Sequence, residues 1–152
     1  MLLHPVPGED RHILADDRMM GWTAERIPTI GAGYRWSDAQ AIGLVEADKI
    51  LAGMVVHDYS RACRNCQLTF AAASARWATR PSIRALLAYP FEQLRVARVT
   101  TMIASRNVRA LRLNERLGFV REGIMRRGFG NDDTVILGLL REETPEWMGF
   151  HG

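Results

Sequence analysis

The chain has 152 residues, enough for one hydrophobic core and too few for two of ordinary size, so a single domain over residues 1–152 is expected. Apolar residues make up 47% and charged residues 24%, which excludes a largely disordered chain, and no apolar run is long enough to span a membrane as a helix. The net charge of +3 rests on arginine, since Lys49 is the only lysine among 20 basic residues. That excess reads first as compositional bias; at single positions arginine supplies a rigid fork for phosphate or carboxylate. Spread along the chain, it is weak evidence for a nucleic-acid partner and leaves that partner open.

Met1 to Gly8 lacks a basic stretch leading into an apolar one, so no secretory signal is expected and the expected compartment is the cytoplasm. Asp16 and Asp17 precede a helical stretch, Arg18 to Arg26, which Pro28 ends; acids suit a helix N-terminus. Gly31-Ala32-Gly33 is a break. Ala41 to Glu46 and Ile50 to His57 then read as a hairpin across Ala47-Asp48-Lys49, and Gln67 to Ala73 as a third strand. Ile83, Leu86, Leu87, Pro90, Phe91 and Leu94 recur at helical spacing, which predicts a helix from Ser82 to Leu94 that Pro90 kinks or shortens.

Val96 to Ala104 reads as a strand. Asn107 to Leu117 reads as a helix with Gly118 after its end. Phe119 to Arg126 and Thr134 to Leu140 close the chain as strands joined through Gly128 to Asp133, the second apolar on both faces and so predicted to be interior. Strand–helix–strand alternation in the middle implies parallel crossovers, and the flanking hairpins imply antiparallel pairs. The expected fold class is α/β (α+β), a mixed central sheet with helices on both faces.

Cys63 and Cys66 form a lone C-x-x-C in what reads as a turn between strands. A zinc site needs two further ligands and a thioredoxin-type motif should open a helix, so no metal is expected and two reduced cysteines are the simpler reading.

The stretch Asn107-Val-Arg-Ala-Leu-Arg-Leu-Asn-Glu-Arg-Leu-Gly118-Phe119 follows a predicted strand and ends in Gly-Phe. It resembles the pattern Asn-x-x-(Ser/Ala)-x-x-(Leu)-(Tyr or other)-Glu-(Lys/Arg)-x-Gly-Phe of the GNAT N-acetyltransferase superfamily. The continuation Val120-Arg-Glu-Gly-Ile-Met125 is similar to that of RimJ/RimL-like members. The likeness in element order covers roughly Asp16 to Glu143. It implies an acyl-CoA N-acyltransferase fold, with acetyl-CoA as co-substrate and a primary amine as acceptor (a protein N-terminus, a small amine or a nucleobase-linked amine); a homodimer is left open.

Several site expectations follow from the resemblance. Two parallel strands, carrying residues 67–73 and 97–104, should splay at their C-terminal ends, so that the pantetheine arm pairs with backbone near Ala71 and Ala72. A backbone N–H there would polarise the thioester carbonyl. Asn107 would bond the arm or cap its own helix. The pyrophosphate would sit on the next helix's N-terminus. Where the superfamily's loop reads (Gln/Arg)-x-x-Gly-x-(Gly/Ala), this chain has Arg76-Trp-Ala-Thr79-Arg80-Pro81. Arg76 matches, but Thr79 and Pro81 replace small residues, and Pro81 offers no N–H. Arg80 and the Ser82 hydroxyl are the candidate substitutes, and Arg109 is placed to reach the nucleotide end of CoA.

Asn114 stands where many relatives carry a Tyr that protonates the thiolate, so no catalytic acid transfers by motif. Candidates for proton transfer are Glu46, His57, Asp58 and Ser105, each equally readable as a solvated strand-end group. Two competing readings remain open at this stage: a non-catalytic GNAT-like binding module with a degenerate CoA loop, and a C-x-x-C redox protein.

Overall fold

The computed structural model describes residues 2–28, 30–31 and 33–151. Strands β1 (Leu2–Pro5) and β2 (His12–Ala15) lead into α1 (Arg18–Glu25). A hairpin of β3 (Gln40–Glu46) and β4 (Lys49–Ser60) follows, then β5 (Asn65–Ala72), α2 (Arg80–Ala88), β6 (Arg98–Ala104) and α3 (Val108–Arg116). The hairpin β7 (Val120–Phe129) and β8 (Asp132–Leu140) precedes a C-terminal tail of 3-10 turns. The strands form one sheet in the order β1-β2-β3-β4-β5-β6-β8-β7. Every neighbouring pair in it is antiparallel except β5 and β6. This is the mixed sheet that the alternation of elements implies.

The β1–β2 hairpin has no counterpart among the predicted elements. Its strands span four residues each, too short for period-2 alternation to register, and Pro5, Pro7 and Gly8 flank the turn. The predicted Ser82–Leu94 helix divides in two. After Ala88 the chain widens into a π-helical turn, Tyr89–Gln93, closed by the Leu94 N–H on the Tyr89 carbonyl at 3.0 Å. Pro90 is the cause, since its ring cannot sit against the carbonyl four residues back. The final turn is tighter than predicted, because β7 runs on to Phe129 and β8 starts at Asp132. Strand β8 lies between β6 and β7, with Val135, Leu137 and Leu139 buried, as its apolar sequence implies. Ala32, in the predicted Gly31–Gly33 break, lies outside the described residues.

Helices cover both faces of the sheet. On one, α2 and α3 pack Ile83, Leu86, Leu87 and Leu111 into the main core with Ile42, Leu68 and Leu137. On the other, Met19 and Met20 of α1 pack with Leu14, Ala41 and Val55. Helix α1 lies so close to the sheet that a Cβ on Gly53 would collide with the Thr23 side chain. Gly118 ends α3 at φ +105°, and a Cβ there would stand 2.9 Å from the Glu143 carbonyl, so the glycine of the Gly-Phe pair is required twice over. No helix among the described residues is long and apolar enough to cross a membrane.

Gly53→Ala should destabilise the protein by about 1–3 kcal/mol, because the added methyl forces α1 off the sheet. A urea titration followed by circular dichroism reads this as a lower unfolding midpoint with an unchanged slope.

Candidate active site

Strands β5 and β6 pair from Asn65–Arg98 to Leu68–Thr101 and then part. Beyond that point β5 stays paired with β4 as far as Ala52–Ala72, and β6 stays paired with β8 as far as Ala104–Thr134. From Thr69 and Met102 onward, each strand therefore turns toward its former partner a backbone edge that no strand occupies. Ala71 and Ala72 lie on that segment of β5. Helix α3 fixes where β6 leaves. Thr101 Oγ1 donates to Asn114 Oδ1 at 3.1 Å, and Asn114 Nδ2 donates to the Ala110 carbonyl at 2.8 Å. Asn114 is thus a strut between α3 and the last paired residue of β6.

The segment between β5 and α2 is organised from behind by Arg11, which is buried. Its guanidinium donates to the carbonyls of Trp77 and Arg76 at 3.2 and 3.0 Å, to Ser82 Oγ at 3.1 Å, and to Glu46 at 3.4 Å. Ser82 Oγ in turn donates to Glu9 at 2.6 Å. The sequence offers no signal for this network, since Glu9 and Arg11 lie in the hairpin that its pattern does not reveal. Burial pushes the Glu9 carboxyl up, but hydrogen bonds from Ser82 and Thr79 and the charge of Arg11 outweigh that and hold it below its ordinary value.

Three residues expected to face a phosphate are already engaged. Arg76 is paired with Glu46 at 2.6 Å. Thr79 Oγ1 caps α2 by accepting the Ser82 N–H at 3.2 Å. The Ser82 hydroxyl points to the β1–β2 turn, because a side chain at this position of α2 faces the core side of the helix. Arg80 is exposed, lies 5.2 Å from the Trp147 ring centre, and has no acidic partner among the described residues. Arg109 is exposed on the first turn of α3. Asn107 caps α3, its Oδ1 accepting the Ala110 N–H at 3.3 Å. Of the residues expected at the phosphates, Arg80 and Arg109 are the exposed arginines without an acidic partner among the described residues.

The four candidates for proton transfer separate clearly. Glu46 lies at the α2 loop, where its hydrogen bond from Arg76 comes first among the causes that hold its carboxyl below the usual range. Ser105 Oγ donates to Asp132 at 2.5 Å in the turn beyond β6. His57 and Asp58 come together instead: Nδ1 of His57 lies 2.5 Å from an Asp58 carboxylate oxygen, and Nε2 lies 2.7 Å from Thr69 Oγ1. Trp36 stacks over the imidazole at 6.0 Å between ring centres. Thr69 is the first residue of β5 beyond the last parallel pair, and sequence reasoning passes over it because a threonine in a strand carries no motif.

Other features lie away from this cleft. A cavity of about 830 Å³ lies beside α2, lined by Ile13, Ile42, Ala85, Tyr89 and Trp147; it takes in Arg80 and Pro81 at the helix N-terminus but none of the residues of the parted strands. Burial pushes the Cys66 thiol up to about 12, which removes the thiolate a redox or metal role needs, while Cys63 is exposed. Among the described residues no three His, Cys, Asp or Glu side chains are placed to hold a metal ion.

No protein-family model matches the chain, and no curated protein matches it significantly in sequence. Solved structures do match. A protein from T. thermophilus classed as an acetyltransferase superposes with a TM-score of 0.71 at 19% identity, over 97% of this chain and 93% of that one. A mutant of the spermidine N-acetyltransferase SpeG from Vibrio cholerae gives 0.73 at 16% identity, over 86% and 94%. A chimera of that enzyme with hSSAT gives 0.71 at 14% identity, over 93% and 99%. The chain therefore has the GNAT acetyltransferase fold.

Arg11→Ala should cost about 3 kcal/mol, since it leaves two loop carbonyls and a buried hydroxyl without their donor; equilibrium unfolding in urea measures it. Glu46 and Glu9 both titrate below the ordinary 4.5 in the folded chain, so they stabilise it above that pH and the gain is lost as pH falls through their folded values. The melting temperature should hold steady down to about pH 5 and then fall, and the fall should be shallower in Glu46→Gln.

Proposed function

We propose that this chain is an N-acetyltransferase of the GNAT type that moves an acetyl group from acetyl-CoA to a primary amine, as a single domain in the cytoplasm. The observation that carries the reading is the parting of β5 from β6 after Leu68–Thr101, each strand remaining paired on its other side. An extended pantetheine arm is a ligand whose amide groups can pair with such an edge. The fold shared with acetyltransferases and the Asn107–Phe119 pattern support the same reading. The pattern after Phe119 favours the RimJ/RimL-like branch within it.

In this reading Ala71 and Ala72 supply backbone to the arm and to the thioester carbonyl. Asn107 stands at the helix start beside the cleft, and Arg80 and Arg109 meet the phosphates. Holding amine and thioester together supplies much of the rate, because it removes the entropic cost of their encounter. The amine must lose a proton as it attacks. Of the four candidates, His57 fits that task, because Asp58 orients its ring and the charge of Asp58 favours the imidazolium that forms. Glu46 and Ser105 stay in structural roles. The acceptor class is a primary amine, and the aromatic pair Tyr34 and Trp36, ring centres 4.9 Å apart, offers a wall next to His57 against which a cationic amine can rest.

A second reading has one observation in its favour. Arg76, Thr79 and Ser82 are engaged within the chain and Pro81 has no N–H, which leaves the α2 N-terminus poor in phosphate donors. A binding module without catalysis would have that property.

Acetyl-CoA at about 100 times its Kd should stabilise the native state by about 2.7 kcal/mol, a rise of several degrees in Tm. His57→Gln should lower kcat for amine acetylation by about 100-fold or more while leaving that shift in place. A wild-type Tm that does not move at millimolar acetyl-CoA sinks the enzyme reading and leaves the binding module.

A further inference from the structure

We propose that Thr69 is the hydroxyl through which the buried His57 exchanges protons with the reacting groups, so that Asp58, His57 and Thr69 act as one relay for the amine and for the departing thiolate. The inference rests on the acetyltransferase reading and deepens it.

Three observations carry it. The first is the assignment of protons along the chain of contacts. An ionised carboxylate only accepts, so the Nδ1 that lies 2.5 Å from Asp58 carries the ring's proton. In the neutral imidazole Nε2 then holds a lone pair, and Thr69 Oγ1, 2.7 Å away, donates to it. Within hydrogen-bond distance of the ring the described residues contribute these two groups, and Trp36 covers its face.

The second is access. His57 is only 8% exposed, and both its nitrogens are engaged, so a substrate cannot reach the ring directly. Thr69 is half-buried and opens the segment of β5 that has left β6. It is the member of the three that stands at the cleft.

The third is the backbone that assembles them. In a regular strand His57 and Asp58 would point to opposite faces. Strand β4 instead shifts register between His57 and Ser60, and Asp58 adopts φ +50°. The bulge returns the carboxylate to the side of the imidazole. Asp tolerates this left-handed conformation better than most residues, but it still costs energy, and the juxtaposition of acid and base is what it yields.

The relay also resolves the lack of an acid on α3, where Asn114 is committed to Thr101 and Ala110. The ammonium first releases one proton to solvent; the neutral amine nitrogen then attacks the thioester carbonyl carbon with its lone pair, forming a C–N bond as the carbonyl oxygen takes the displaced electron pair. The nitrogen's proton passes to Thr69 Oγ1 as the Thr69 proton passes to Nε2, and Asp58 stabilises the imidazolium. As the carbonyl re-forms, the C–S bond breaks with its electron pair on sulfur. The thiolate takes the Thr69 proton as Nε2 returns its own. The amine proton ends on the thiol of CoA, and the three side chains return to their starting state.

The test uses the full chain with acetyl-CoA and two probe amines, spermidine and an alanine-initiated tetrapeptide, with product counted by mass spectrometry. Thr69→Val keeps the shape and removes the hydroxyl. It should lower kcat by about 100-fold or more, while KM for acetyl-CoA moves by less than about threefold. Thr69→Ser should stay within about fivefold of wild type, and the double variant with His57→Gln should be no slower than the slower single variant, as residues acting as one unit require. If circular dichroism shows Thr69→Val unfolded, Thr69→Ala takes its place. A folded variant lacking the hydroxyl with kcat within about threefold of wild type, or losses that add in the double variant, overturns the relay alone. A wild type that acetylates neither amine overturns the acetyltransferase reading, and the relay falls with it.

Discussion

The parallel contact between β5 and β6 spans four residue pairs, from Asn65–Arg98 to Leu68–Thr101, and the geometry of the cleft depends on its ending there. Both strands continue, but each then has one partner: β4 for β5, and β8 for β6. The sheet is in effect two antiparallel sheets, β1 to β5 and β6 to β7, joined along a short parallel seam. Right-handed twist rotates the two blocks apart as the seam runs out. Backbone N–H and C=O groups require partners, so an edge that no strand occupies is stable only where water or an extended ligand reaches it. Helix α3 sets the point of departure through Thr101 and Asn114, and α1 braces the β4 side by lying directly against Gly53.

Charge is arranged around this seam with little to spare. Arg11 holds the loop before α2 by its carbonyls, and Glu9 and Glu46 neutralise it. The loop is therefore rigid before any ligand arrives, but the hydroxyls of Thr79 and Ser82 and the guanidinium of Arg76 are consumed in making it so. Rigidity of the loop and donor capacity toward a phosphate compete for the same groups. Arg80 and Arg109 remain exposed beside it, each without an acidic partner among the described residues.

The His57–Asp58 pair shows the same coupling of strain to chemistry. A regular β4 would have buried the imidazole without an acid beside it. The bulge costs one ladder position and a left-handed aspartate, and it sets a carboxylate against the buried imidazole, whose other nitrogen meets Thr69. The cavity beside α2 is lined by His4, Arg80, Arg84 and Tyr89 among apolar residues, but no acid–base pair like His57 and Asp58 lies in its wall.

Helix and strand order from Arg18 onward, the interior position of β8, the break at Pro90 and the need for glycine at 118 were legible in the sequence, because each follows from local periodicity or from one residue's own conformational limits. The pattern around Asn107 pointed to the fold by its resemblance to the GNAT pattern rather than by periodicity. The β1–β2 hairpin was not legible, since strands of four residues are too short to leave a periodic trace. Neither was the allocation of polar groups. His57, Asp58 and Thr69 are ordinary strand residues in one dimension, and they meet only because β4 bulges and β5 lies beside it. Arg76 and Ser82 looked free for a ligand until packing brought Glu46 and Glu9 to them from 30 and 73 residues away. Local sequence determined which elements form, because propensity and pattern act over a few residues. Tertiary structure alone decided which donors and acceptors were already partnered, because that is settled by contacts between segments distant in the chain.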